Sequence, residues 1–400
     1  MKKRILFLGG THFQVPAIKF ARNKGYYVIT CDYLPNNPGH QFAHEYHNIS
    51  TTDMEAVLQL ARKLGIDGIV AYASDPSAPT AAFVGNQLGL ASNPFSAVNI
   101  LTNKDKFRAF LHENAFRVPR SWGGGGLEAF RDKGGDFKFP VMVKPVDSSG
   151  SKGVSRVDSF ERFPEAFDYA LSFSRAKRVV VEEYVEKKGY QIAGDGFLVD
   201  GKLVFRCFAN EHFNTSCNPF VPIGESWPYN MPPEVHIRIH NEIQRALTLL
   251  GMKTGALNFD IRIDQDEKPI IMEIGPRNGG NLIPQVTRYA TGVDMIDYTI
   301  EAALGNDCSG LRMVEPIGFW SSFMVHSKKA GILEKIWVDE EFAQHNIVEQ
   351  NIQVSVGDEV PSFQGSNGTL GTMILKFSSM DEMLEKMDNM EKWYRMEVKG

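Results

Sequence analysis

The residues with the clearest capacity for chemistry lie in the segment GALNFDIRIDQDEKPIIMEIGPRNGG, which begins at Gly255. A hairpin turning at Asp266 and Glu267 pairs Phe259 with Ile274, Ile261 with Met272 and Ile263 with Ile270, so that one face is wholly apolar. The other face then pairs Asp260 with Glu273, and Arg262 with Ile271. Directly opposed residues hold their Cβ atoms about 4.5 to 5.5 Å apart, so two carboxylates there repel unless a cation lies between them. A hard divalent cation, held by carboxylates and by a ligand's phosphate oxygens, meets that requirement. A surface hairpin with one acid in solvent is the competing reading. Arg277, in the tight PRNGG turn just beyond, is placed to meet an anion developing beside the cation.

A second stretch, FPVMVKPVDSSGSKGV from Phe139 to Val154, carries anion-binding groups. Val141, Val143 and Val146 form a strand, and Lys144 among them needs an anionic partner. Ser148 to Gly153 then supplies hydroxyls, a second ammonium and small residues whose N–H groups can converge on phosphate oxygens. The spacing is not that of a P-loop, and Val154 to Val157 reads as a further strand, which makes a hairpin lid. The alternative is a mobile Gly/Ser surface turn.

These groups need elements to position them. Four hundred residues predict two to four domains with real cores. A formal charge of -5 gives no global attraction to nucleic acid or an anionic membrane. Cys31, Cys207, Cys217 and Cys308 lack CxxC spacing, which argues for a reducing compartment and a cytoplasmic protein. The apolar run Ile5–Leu8 reads as a first strand and is too short for a signal sequence, and no run approaches the roughly 20 residues of a membrane span.

Up to about residue 90, strands alternate with helices: Ile5–Leu8, a helix after Pro16, Tyr27–Cys31, a helix from Asp53 to Leu64, and Gly68–Ala73. This predicts a Rossmann-like parallel α/β domain. Gly9-Gly10 and Asp32 stand where a dinucleotide fold keeps its glycines and ribose acid, but GGTHFQV lacks the GxGxxG fingerprint of a dehydrogenase. Asp75 follows the third strand at the carboxyl edge, where ligands bind such sheets, and is equally suited to capping a helix. His40, His44 and His47 read as solvated loop residues, not a metal cluster. Gly123 to Gly126 reads as a connection between domains. In the helix beginning NKDKFRAF, Lys104 and Arg108 share a face as a solvated stripe. The strand Val179–Val185 ends in EEYV, whose backbone could serve as an adenine hinge.

Taken together and in order, Lys104, Lys144, the Ser/Gly loop, EEYV, and Asp260 with MEIGPR around Glu273 resemble the ATP-grasp superfamily, nearest its carboxylate-amine ligases of the carbamoyl-phosphate synthase and biotin carboxylase type. The likeness spans about residues 1 to 305. It implies an α/β domain over residues 1–103 and an ATP-grasp core of two α+β subdomains over 104–307 with a nucleotide lid near 120–190; the alternating short strands and turns of residues 308–400 read separately as a small β-rich domain. The likeness implies ATP, with Lys104 and Lys144 on its phosphates and Ser149, Gly150, Ser151 and Gly153 covering them. Glu182, Glu183, Tyr184, Val185 and Met272 would lie beside the nucleotide. Asp260 and Glu273 would carry Mg2+, with Mn2+ as the other ion such a set accepts, and Arg277 with Lys144 would serve the reaction. That reaction is activation of a small carboxylate as its acyl phosphate, attack by an amine, and release of ADP and phosphate.

The pattern departs from the family twice. Relatives often have Glu-x-Asn at the metal, whereas Glu273 is followed by Ile274-Gly275; Asn258, opposite Gly275, could supply the absent oxygen. Gln191 stands where relatives often place a ribose-binding Glu, and only its carbonyl oxygen accepts. Asp75, Asn281, Arg206, His212 and Arg288 are candidates for holding the carboxylate or amine. The tail reads as a closing β-rich domain or a homodimer surface, with Met383, Met387 and Met390 as packing. A Mg-ATP sensor without turnover is the rival class, ahead of an NAD-dependent oxidoreductase.

Overall fold

The structure is a computed structural model that describes residues 2–134 and 137–400. It begins with the expected parallel α/β unit. Four parallel strands lie in the order Glu45–His47, Tyr27–Cys31, Arg4–Leu8, Gly68–Val70. Helix Met54–Leu64 forms because Val57, Leu58, Leu60 and Ala61 recur on one face, Asp53 caps its start by accepting from the Ala56 N–H, and Gly65 ends it with φ 56°.

A lid sheet follows, four antiparallel strands in the order Ser121–Gly124, Val179–Glu183, Val141–Pro145, Ser155–Val157. Helix Phe163–Phe173 covers it, burying Phe163, Phe167 and Ala170 against the strand valines. The glycines read as a linker are partly a strand here. Gly123 and Gly124 pair with Val180 and Val179, and a Cβ at Gly123 would come within 2.5 Å of the Asp105 Cβ. Close packing on the Lys104–Glu113 helix, not flexibility, explains that glycine.

The largest sheet is antiparallel and eight-stranded: Pro269–Gly275, Gly255–Ile263, Gln191–Val199, Lys202–Phe213, Pro222–Trp227, Phe319–Val325, Gly371–Phe377, Ile347–Ile352. Residues beyond 308 therefore add three strands to the sheet that carries Asp260, through the pairing of Gly224 with Phe323. Helix Pro233–Leu249 packs Val235, Ile239, Ile243 and Leu247 on its back. A separate three-stranded sheet holds Gly331–Val338 between Glu359–Val360 and Tyr394–Lys399. No helix among the described residues is long and apolar enough to cross a membrane.

Candidate functional site

The hairpin carries its polar face as the alternation dictates, up to one point. Asn258 opposes Gly275, Phe259 opposes Ile274 and Asp260 opposes Glu273. Between Asp260 and Ile261 the register slips, so Ile261 meets Ile271, Arg262 meets Ile270 and Ile263 meets Pro269. The expected pairs Ile261–Met272 and Ile263–Ile270, and that of Arg262 with Ile271, are thus corrected. Met272 is the extra residue of a bulge, and its freed carbonyl accepts from Arg108 Nη1 at 2.9 Å.

Arg108 corrects the sequence reading most. It is not on a solvated stripe: its side chain is 2% exposed and donates from Nε to Glu182 Oε2 at 2.8 Å. Glu182, 1% exposed, also holds Lys144 in a close ion pair. Burial opposes ionisation of Glu182, yet the Arg108 and Lys144 charges outweigh it and hold the carboxyl at about 2. Burial pushes the Lys144 ammonium below its ordinary value against the pull of Glu182. Paired with a guanidinium and an ammonium, Glu182 stands ionised.

Lys104, the first residue of its helix, reaches Glu273 of the opposed carboxylate pair. Its Nζ lies 3.2 Å from Glu273 Oε2 and donates to the Ser148 carbonyl at 2.9 Å. A cavity of about 160 Å3 opens here, lined by Asp75, Lys104, Ser148 and Glu273. Asp260 Oδ1 is buried and has no hydrogen-bond partner among the described residues. Burial raises the Asp260 carboxyl to about 6; Arg262 and Lys144 lower it and Glu273 raises it. A buried, orphaned carboxylate oxygen beside a second carboxylate has the donor chemistry that suits a hard cation. Asn258 Nδ2 donates to the Gly194 carbonyl at 3.1 Å and to Asp195 Oδ1 at 3.0 Å, which directs its amide oxygen to the other side.

The lid loop is pinned from two directions. Gly150, Ser151 and Gly153 have φ of 66°, 57° and 73°, and Ser151 Oγ donates to the Phe220 carbonyl at 2.5 Å. A Cβ at Gly150 would fall 2.2 Å from Ser366 Oγ, so the loop that carries Ser149 rests against the 364–368 turn.

At the hinge, Glu182 lies inside the lid sheet between Ser121 and Met142, not at a strand end, because its neighbours pair on both sides. The Glu183 N–H donates to the Arg120 carbonyl and the Tyr184 N–H to the Pro140 carbonyl. The Val185 carbonyl accepts from Arg262 Nη1 at 2.9 Å, and the Tyr184 ring lies between Arg156 and Arg262, 4.7 and 5.3 Å from its centre. Gln191 has both ends engaged: Oε1 accepts from Arg262 Nε at 2.8 Å and Nε2 donates to Glu211 Oε2 at 2.7 Å.

The substrate candidates scatter. Asp75 and Arg277 face each other in a two-pronged ion pair, Nε to Oδ1 at 2.7 Å and Nη2 to Oδ2 at 2.6 Å. Burial resists ionisation of Asp75, but Arg277 draws its carboxyl below the ordinary value. Asn281 donates to Glu225. His212 is buried between Asp388 and Ser226. Arg206 meets Glu315 at 3.5 Å and Arg288 meets Asp294 at 3.2 Å, both outside the cluster. His40, His44 and His47 bond locally to Thr30, Val28 and Glu45. Asp32 accepts from the Leu34 N–H and from Asn37 within its own loop.

A row of acids that sequence reading missed completes the face. Register pairs Asn258 with Asp195, Gln191 with Glu211, Glu211 with Glu225 and Glu225 with Ser322 across neighbouring strands. Burial raises the Asp195 and Glu225 carboxyls to about 7 each and Glu211 well above its usual range. An Asp flanked by glycines inside the apolar strand Gln191–Val199 was the available signal for Asp195.

Comparison with known proteins identifies the fold and the family. The ATP-grasp domain family matches residues 137–285. A curated relative, formate-dependent phosphoribosylglycinamide formyltransferase of Rhodococcus jostii, is 31% identical over 286 residues, covering 68% of each chain. Other curated relatives match over about half their length, 55% and 46%. Among solved structures, L-amino acid ligase from Bacillus licheniformis superposes with a TM-score of 0.81 at 20% identity over 100% of this chain and 99% of that one. The biotin carboxylase domain of Hydrogenobacter thermophilus 2-oxoglutarate carboxylase, solved with MgADP, ADP and bicarbonate, superposes with 0.75 at 15% identity over 100% and 92%. At those identities the superpositions establish the fold. Fold, matched segment and the two-thirds coverage of the Rhodococcus relative together place the chain in the ATP-grasp superfamily, which works with ATP and Mg2+.

Proposed function

We propose that the protein is an ATP-dependent ligase that converts a small carboxylate into its acyl phosphate and joins it to an amine. The observation that carries this reading is the orphaned, buried Asp260 Oδ1 opposite Glu273, with Lys104 and Lys144 on either side. Asp260, Glu273 and the Asn258 amide oxygen would hold magnesium, which when bound neutralises phosphate charge. Lys104 and Lys144 grip the phosphates, each already aimed by an acid, Glu273 or Glu182. The loop from Ser149 to Gly153 excludes water above them, and Tyr184 and Val185 border the base. Gln191, with both ends engaged, orients Glu211 and Arg262 instead of meeting the ribose directly.

In the first step a carboxylate oxygen bonds to the terminal phosphorus and ADP leaves. In the second the amine nitrogen bonds to the acyl carbon, phosphate leaves, and the nitrogen gives up a proton. Arg277 balances charge on the acyl phosphate, and Asp75 holds its guanidinium plane. Asp75 is therefore a positioning residue, not a substrate ligand.

The relatives suggest the panel to screen: formate and amino acids as carboxylates, amino acids and glycinamide-type compounds as amines. ADP release that requires one carboxylate, one amine and magnesium, and that falls at least about a hundredfold in Asp260→Asn, is the expected result. Tight Mg-ATP binding with no phosphate released by any pair would instead mark a sensor.

A further inference from the structure

A cavity of about 630 Å3 opens in the C-terminal region, several times the volume beside Glu273. It lies on the opposite side of the eight-stranded sheet. Ser322 bonds Glu225 on the acidic face, so its neighbour Phe323 points the other way, and Phe323 lines this cavity. Ile223, Met390 and Val398 complete an apolar floor. Tyr394 lines it too, 4% exposed, and its buried hydroxyl has no hydrogen-bond partner among the described residues.

The rim carries four cations, Lys328, Lys329, Lys392 and Arg395, against two acids, Asp388 and Glu391. Both acids are already engaged. Asp388 accepts from His212 at 2.7 Å and Tyr190 at 2.6 Å, while Glu391 meets Lys328 and accepts from Asn214 at 3.2 Å. Arg395 lies over the Trp337 ring at 4.1 Å with Glu397 at 3.8 Å. Among the described residues, Lys329 and Lys392 face no carboxylate at ion-pair distance. A chamber of drug-like volume with a polar, cationic rim above an apolar floor, together with an unsatisfied phenol, defines a recognisable ligand chemistry.

We propose that this cavity is a second binding site, separate from the nucleotide cleft, for an organic anion with an apolar body and a carboxylate or sulfonate head. The body fills the floor of Ile223, Phe323 and Met390, and the head meets Lys329 and Lys392.

The test is titration of the full chain with 8-anilinonaphthalene-1-sulfonate by fluorescence and calorimetry, with and without saturating Mg-ATP. One saturable equivalent that survives Mg-ATP is expected, weakened about three- to tenfold by Lys329→Met with Lys392→Met. Ile223→Trp fills the floor and should abolish it; a thermal melt confirms folding, and the two surface lysine changes keep the test valid if Ile223→Trp does not fold. Full displacement by Mg-ATP, or indifference to the lysine changes, overturns the proposal.

Discussion

Replacing Glu182 by Gln removes one charge from between two buried cations while keeping the side-chain shape. The carboxyl falls from an ordinary 4.5 to about 2 on folding. That difference corresponds to about 3 kcal/mol at neutral pH, at the lower end of the roughly 3–5 kcal/mol that breaking a buried ion pair costs. Because the folded value is the depressed one, this stabilisation is present in full above pH 4.5 and is lost as pH falls toward 2. Urea unfolding followed by circular dichroism and tryptophan emission, Trp122 lying in the same lid sheet, reads the effect. Glu182→Gln should be about 3 kcal/mol less stable than wild type at pH 7, and the gap should close between pH 4.5 and pH 2. Glu183→Gln, one residue along, serves as the control, since the Glu183 carboxylate accepts from the Lys138 N–H and, among the described residues, has no ion-pair partner. A loss within about 0.5 kcal/mol, the scale of an ordinary surface change, or a gap independent of pH, would refute the assignment of Glu182 as the anion that holds Arg108 and Lys144 in place.

Four further outcomes are expected. Magnesium affinity, read by calorimetry, should fall about tenfold per pH unit below about 6, where Asp260 takes up its proton, and Asp260→Asn should flatten that slope. Asn258→Ala should weaken magnesium binding, and an unchanged affinity would remove its amide oxygen from the ligand set. Gly150→Ala meets both a positive φ and Ser366 Oγ, so the KM for ATP should rise, with Ser366→Ala restoring part of it. Asp75→Asn should lower kcat more than it raises the KM for carboxylate, because it loosens Arg277; a change in KM alone would make Asp75 a substrate ligand.

How much of this was legible in sequence follows from the range of the interactions. Strict alternation placed Asn258, Asp260 and Glu273 on one face because side chains in a strand point to opposite sides every second residue, and that rule needs only local sequence. The parallel α/β unit and the lid hairpin were readable for the same reason. The bulge at Asp260 was not, since it depends on Arg108, more than 150 residues away, capturing the Met272 carbonyl. The charge network Arg108–Glu182–Lys144, the meeting of Asp75 with Arg277 and the acid row Asp195, Glu211, Glu225 all join segments far apart in the chain. Burial turned an apparently solvated arginine into the pin of the site. Sequence alone determined which residue types shared the hairpin's polar face as far as Asp260 and Glu273; the packing of the lid and the first domain on the large sheet decided the register beyond them and which distant groups met, because desolvation and charge pairing exist only once distant strands are side by side.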